Sequence, residues 1–131
     1  MKSFKEYIKE SAPRIVVDDS TFEGKTDPTQ YSDDDNVIYV KSTYDVKNDP
    51  EAWIVHELIH GKRIPDDGAE YPYNKVERIA YTEQFTELIK RGFTFEDISD
   101  MSKFPTLSIK VKKFPTVLYK YWKYAESYNR G

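Results

Sequence analysis

The spacing of apolar positions along the chain separates expected helices from expected strands. From Met1 to Ser11, Phe4, Tyr7 and Ile8 share one side, with Lys2, Lys5, Glu6 and Lys9 around them. That is a short amphipathic helix, ended by Pro13. Arg14 to Asp18 is rich in β-branched residues, and Asn36 to Ser42 is an apolar run between turn residues, so both are expected strands. Asp18 to Asp35 between them is polar, a loop or wide hairpin around Thr21-Phe22. Asp49 is a suitable N-cap, Pro50 suits the first helical position, Glu51 the first turn and Gly61 the stop, which predicts a helix ending at His60. Its residues Trp53, Ile54, Val55, Leu58 and Ile59 point in nearly every direction except that of His56, Glu57 and His60, as in a buried helix.

A polar connection with Pro65, Gly68 and Pro72 as breakers follows. Asn74 then caps a second long helix, with Lys90 and Arg91 in its last turn and Gly92 past its end. Thr94 to Ile98 is the start of a short helix. Phe-Pro-Thr occurs at Phe104 and Phe114, and Pro115 opens a last helix through Ser127. There Leu118, Tyr119, Tyr121, Trp122 and Tyr124 interleave with Lys112, Lys113, Lys120 and Lys123, an aromatic helix closing a small core under a solvated lysine face. The predicted fold is α+β, with a short antiparallel sheet packed against an active-site helix and a second helix.

Length and charge narrow the picture. With 131 residues the chain supports one core. A net charge of -3 argues against nucleic acid as partner. The absence of cysteine removes disulfides and cysteine zinc sites. No apolar run approaches the roughly 18 residues of a membrane span, and the N-terminus lacks the apolar centre of a secretory signal, so a soluble chain is expected. Aromatic residues make up 15%, including eleven tyrosines, enough to build a core largely from rings. The Asp33-Asp34-Asp35 run lacks the alternating spacing of a calcium loop and is expected to be solvated.

The chemistry concentrates in His56-Glu57-Leu58-Ile59-His60. Residues i and i+4 of a helix share a face, so His56 and His60 aim two imidazoles at one point, with Glu57 beside them. These are the only two histidines in the chain. A polar strip on a buried helix is costly unless something satisfies it, and a bound metal does so. Zinc suits two neutral imidazoles and a carboxylate, with the fourth position left to water. On the second helix Glu77 falls mid-way across the apolar face, between Ala80 and Leu88, and a carboxylate aimed at a core needs a partner. Glu77 is therefore the preferred third ligand, with Glu70 and Glu83 in reserve.

The H-E-x-x-H stretch resembles the signature of zincin metallopeptidases. Glu77-Arg78-Ile79-Ala80 resembles the Glu-x-x-small element that supplies the third ligand in gluzincins. The resemblance implies a Zn²⁺-dependent peptidase acting on a protein or peptide, with His56, His60 and Glu77 as ligands and Glu57 as general base. It departs from the thermolysin-like pattern at Tyr81, where those enzymes carry an Asp that holds a ligand histidine; Tyr81 is then a substitute support. Tyr71, Tyr73 and Tyr81 are candidates for stabilising the oxyanion. The rivals are a non-enzymatic zinc module with a closed fourth position and a phage head protein that retains a peptidase fold.

Residues 1–10, MKSFKEYIKE, resemble the capsid-targeting peptides of internal head proteins in T-even-like bacteriophages. That resemblance implies packaging among phage head proteins, cleavage between Glu10 and Ser11, and delivery to the host cytoplasm. Residues 11–131 are then the folded metallopeptidase domain.

Overall fold

A computed structural model describes residues 12–130. The expected helix at Met1 to Ser11 and the processing site at Glu10 and Ser11 lie outside them. The strands are β1 (Arg14–Val17), β2 (Thr29–Ser32) and β3 (Val37–Val40); the helices are α1 (Trp53–His60), α2 (Lys75–Lys90), α3 (Phe95–Ile98), α4 (Leu107–Lys113) and α5 (Pro115–Arg130). The domain is a small mixed α+β fold with a three-stranded sheet, order β1-β3-β2.

The sheet corrects the expectation of purely antiparallel pairing. β1 runs parallel to β3, with Arg14 opposite Val37, while β2 runs antiparallel to β3, with Thr29 opposite Val40. The cause is β2, a strand the polar sequence Thr-Gln-Tyr-Ser does not announce. It lies inside the segment expected to be loop and turns the chain back through Asp33-Asp34-Asp35-Asn36. The three aspartates are exposed. Asn36 sits at φ 52°, a left-handed position that asparagine tolerates and most residues do not. The expected turn at Thr21-Phe22 is a 3₁₀ helix, Asp19–Phe22.

The start of α1 also differs from expectation. The helix begins at Trp53, not at Pro50, because Asp49 and Ala52 both adopt positive φ, 44° and 58°. Left-handed backbone at a non-glycine residue costs about 1–2 kcal/mol, so a surrounding structure must hold it. Asp49 still caps the helix from outside, its carboxylate accepting from the Ile54 N–H at 3.0 Å. The Tyr44 hydroxyl donates to Asp49 and accepts from the Trp53 N–H at 3.3 Å. Glu51, expected in the first turn of α1, instead caps α4: its buried carboxylate accepts from the N–H groups of Thr106 at 3.1 Å and Leu107 at 2.7 Å. Gly61, the C-cap of α1, is right-handed at φ -65°, and its lack of a side chain matters sterically, because a Cβ there would lie 3.0 Å from Pro13 Cγ.

The second helix follows its expected bounds. Asn74 Oδ1 accepts from the Glu77 N–H at 2.8 Å, and Gly92 at φ 94° reverses the chain past the C-terminus. Thr94 and Asp97 form a reciprocal capping box that starts α3. The last helix opens at Pro115 as expected and buries Leu118, Tyr121, Trp122 and Ala125 against α2, while Lys112, Lys113, Lys120 and Lys123 stay exposed. α4 is a helix the sequence pattern does not separate from α5. Tyr81, Phe85 and Leu88 of α2 meet this aromatic layer in one core that also holds Trp53 and Ile38. Fully burying a side chain of this size is worth about 1.5–3 kcal/mol, and the same core fixes the facing surfaces of α1 and α2. Among the described residues no helix is long and apolar enough to cross a membrane.

Candidate metal centre

α1 and α2 pack face to face and bring His56, His60 and Glu77 together. One donor atom from each lies within 4.8 Å of the others. Glu77 Oε1 is 2.9 Å from His56 Nε2 and 3.1 Å from His60 Nε2. The side chains of His56 and Glu77 are 4% and 8% exposed, whereas His60, at 24%, faces an opening. Ala80 is fully buried at the α2 surface, where a small side chain lets the helices approach. The reserve carboxylates are elsewhere. Glu70 is exposed, and Glu83 lines a separate cavity with Arg78 and Tyr124.

The hydrogen bonds around His56 call for a positive charge at Nε2. Gln84 Nε2 donates to the Glu51 carbonyl at 3.0 Å, which fixes the amide orientation because a carbonyl only accepts. Gln84 Oε1 therefore faces His56 Nδ1 at 2.8 Å as an acceptor, and Nδ1 carries the hydrogen. Neutral imidazole has one N–H, so Nε2 is a lone pair pointed at the Glu77 carboxylate. A cation between them removes that repulsion: either a second proton on a buried ring or a metal ion. The donor set suits zinc. Tetrahedral ligands at ~2.0–2.1 Å from zinc sit about 3.3 Å apart, a few tenths more than the two N···O separations.

Electrostatics agree with a site built for positive charge. Burial alone would raise the Glu77 pKa, but positive charge at the His56 and His60 rings beside it outweighs burial and holds the carboxyl at about 2, down from 4.5. For His60 burial opposes the charged ring, and contact with Glu77 more than compensates, raising its pKa above 6.5.

Gln84, not Tyr81, is the side chain hydrogen-bonded to His56. Tyr81 stacks edge-on against the His56 ring, centroids 4.5 Å apart, but its hydroxyl bonds the Tyr71 hydroxyl, not a ligand. The signal for Gln84 was available, since it lies seven residues after Glu77, two turns along the same face, as a lone amide among Tyr81, Phe85 and Leu88. Thr29 was not findable. Its Oγ1 donates to Glu57 Oε2 at 2.9 Å across a separation of 28 residues, from the strand the pattern missed.

Glu57, a buried residue of α1, lines a cleft of about 360 Å³ together with His56, His60 and Glu77. Thr29, Gln30 and Tyr31 of β2 form one wall and Tyr71 another. Of the three tyrosines considered for an oxyanion, Tyr71 lines this cleft, Tyr81 is wholly buried behind it, and Tyr73 is exposed outside it. Burial raises the pKa of both Tyr71 and Tyr81, so each stays a neutral hydroxyl at ordinary pH.

Comparison with protein-family profiles, with curated proteins and with solved structures finds no match for this chain.

Proposed function

We propose that this chain is a zinc metallopeptidase that hydrolyses peptide bonds in the cleft between β2 and the α1–α2 pair. The observation that carries the proposal is the conflict at His56: a tautomer fixed by Gln84 aims a lone pair at the Glu77 carboxylate, with His60 beside it. His56, His60 and Glu77 would hold the ion. Bound there, zinc supplies a Lewis acid for the substrate carbonyl and lowers the pKa of a ligated water toward about 7.

The remaining chemistry belongs to protein groups. Thr29 occupies Glu57 Oε2, which leaves Oε1 to take a proton from the attacking water and return it to the leaving amine nitrogen. Tyr81 donating to Tyr71 would satisfy the buried hydroxyl and leave the Tyr71 O–H to face a developing oxyanion. β2 forms the cleft wall, so an extended substrate has a strand to lie along. The resemblance of residues 1–10 to capsid-targeting peptides adds a setting, packaging in a phage head before action on head or host proteins.

The rival is a zinc module without activity. It calls for a closed fourth position, and among the described residues the ligand group counts three. Metal analysis and peptide digestion of wild type and Glu57→Gln test both readings. The expected result is close to one zinc in each, with hydrolysis falling by about 10² to 10⁴-fold in the variant, the usual worth of general-base catalysis. Zinc with no hydrolysis in either protein supports the module. Full zinc retention in both His56→Ala and His60→Ala refutes the site.

A further inference from the structure

The cleft has a second half that the hydrolytic chemistry does not use. Lys110 reaches into it from α4, its Nζ 3.0 Å from Asp27 Oδ1 and 5.2 Å from the centre of the Tyr71 ring. The Lys110 side chain is only 16% exposed, while Asp27 is 46% exposed. A lysine so covered is not a swinging surface charge. Its stem is packed and its ammonium sits at a fixed point on the wall of the same cleft as His56 and Glu57.

Three features make this cation a recognition group. An ammonium carries three N–H donors, and Asp27 Oδ1 takes one of them. Burial works against the charge, yet contacts on the cleft wall, the Asp27 carboxylate among them, outweigh it and raise the Lys110 pKa, so the group stays ionised. The cleft as a whole is positive once a divalent ion is bound. Lys25 and Lys110 face Asp27, Glu57 and Glu77 there, which leaves one negative charge without the ion and one positive charge with it. The chain itself is acidic, at -3, so the sign reverses locally where a substrate enters. Lys25, exposed and bonded to the Gln30 side chain at 3.2 Å, contributes only screened attraction at the rim.

We infer that the Lys110 wall is a carboxylate subsite, and that the enzyme selects peptides bearing a carboxylate beside the bond it cuts. The inference rests on the metallopeptidase reading for its substrate and on Lys110 for its selectivity. The carboxylate has two sources, an Asp or Glu side chain or the C-terminus of a peptide. Both offer oxygens to the ammonium in place of, or beside, half-exposed Asp27.

Two measurements test it. The first is digestion of a peptide library by the zinc-loaded protein, read by mass spectrometry, with peptides paired as Glu against Gln and as free acid against C-terminal amide. Cleavage should favour the carboxylate member by about tenfold, the size of one charge-assisted contact partly open to water. A preference that survives amidation assigns the side chain as source, and one abolished by it assigns the terminus. In Lys110→Met, which keeps a stem over Tyr71, the ratio should fall to near one, and in Lys110→Glu it should invert toward the Gln and amide members. Equal ratios in wild type and Lys110→Met overturn the subsite.

The second measurement needs no turnover. Amide chemical shifts of Glu57→Gln are followed on titration with capped Ala-Glu-Ala and Ala-Gln-Ala, and with free-acid and amide forms of Ala-Ala-Ala. About tenfold tighter binding of a carboxylate form, lost when Lys110→Met is added, supports the subsite even if no peptide is ever cleaved. That outcome would reject the peptidase reading alone. Indistinguishable binding of each pair rejects the subsite alone.

Discussion

Gln84→Leu separates the support of the metal site from the site itself. Leucine has nearly the volume of glutamine, so the buried position between α1 and α2 stays filled. What disappears is a pair of hydrogen bonds, from His56 Nδ1 at 2.8 Å and to the Glu51 carbonyl at 3.0 Å. The ring loses the partner that fixes its tautomer, and groups supporting metal ligands this way are typically worth about 10 to 100-fold in affinity. That is about 1.4 to 2.7 kcal/mol of zinc binding. The metal-free protein should lose stability as well, because two buried polar groups are stranded at about 1–3 kcal/mol each. Zinc affinity is measured by competition with a chromogenic chelator, and stability by urea unfolding of the metal-free form. Gln84→Glu is the informative contrast. It keeps an acceptor for His56 but turns an oxygen toward the Glu51 carbonyl, so zinc affinity should hold while metal-free stability falls. A Gln84→Leu protein that binds zinc within about threefold of wild type, under ~0.7 kcal/mol, would refute the tautomer argument.

Thr29→Val should leave zinc content unchanged and lower kcat by about tenfold, since it removes a hydrogen bond to a charged group, and Thr29→Ser should restore most of it; a loss appearing in KM alone would mean that Thr29 contacts substrate and does not hold Glu57. Zinc affinity should fall as pH drops below the raised pKa of His60, because a proton then competes for the ring. In the metal-free protein the depressed Glu77 pKa gives stability that is present above pH 4.5 and lost toward pH 2, while His60 gives stability that is present below pH 6.5 and lost as pH rises through its folded value. Urea midpoints of metal-free protein that stay flat across both windows would contradict those directions. Residues 1–10, by their resemblance to capsid-targeting peptides, predict that protein recovered from mature phage heads begins at Ser11; mass spectrometry showing an intact Met1 start would reject it.

What the sequence disclosed about the site is what a single helix encodes. His56 and His60 are four residues apart, so any helix at all puts them on one face, and the exact start of α1 does not matter. The helix in fact starts at Trp53, past the local signal at Pro50. Asp49-Pro50-Glu51 has the composition of a helix opening, but Tyr44 and Arg91 hold the turn through Asp49, and the Arg91 guanidinium binds the Asp49 carbonyl at 2.7 Å. Those partners come from other segments, and no local pattern contains them. Glu77 was legible for the same reason as the histidines, because a carboxylate mid-way across an apolar helix face contradicts burial unless it is paired. β2 was illegible because its four residues are polar and its strand character comes from pairing with β3. The antiparallel expectation failed with it.

The residues that were missed share a physical trait. Thr29, Gln84 and Lys110 act on groups far away in sequence, through side chains whose local setting is unremarkable: a threonine after a proline, a glutamine in a helix, a lysine among lysines. His56 and Glu77 alone could be an ordinary buried ion pair, with a protonated imidazole donating to a carboxylate. Gln84 changes this, because its amide is oriented by the Glu51 carbonyl and so demands the Nδ1 hydrogen as well. A ring so placed must either carry two protons while almost wholly buried or meet a cation at Nε2, and His60 waits 3.1 Å from the same Glu77 oxygen to complete that cation's shell. A structural ion pair needs only one imidazole. The second, in register and opening toward a cleft that also holds Glu57, is what favours the proposed metal site over a buried salt bridge.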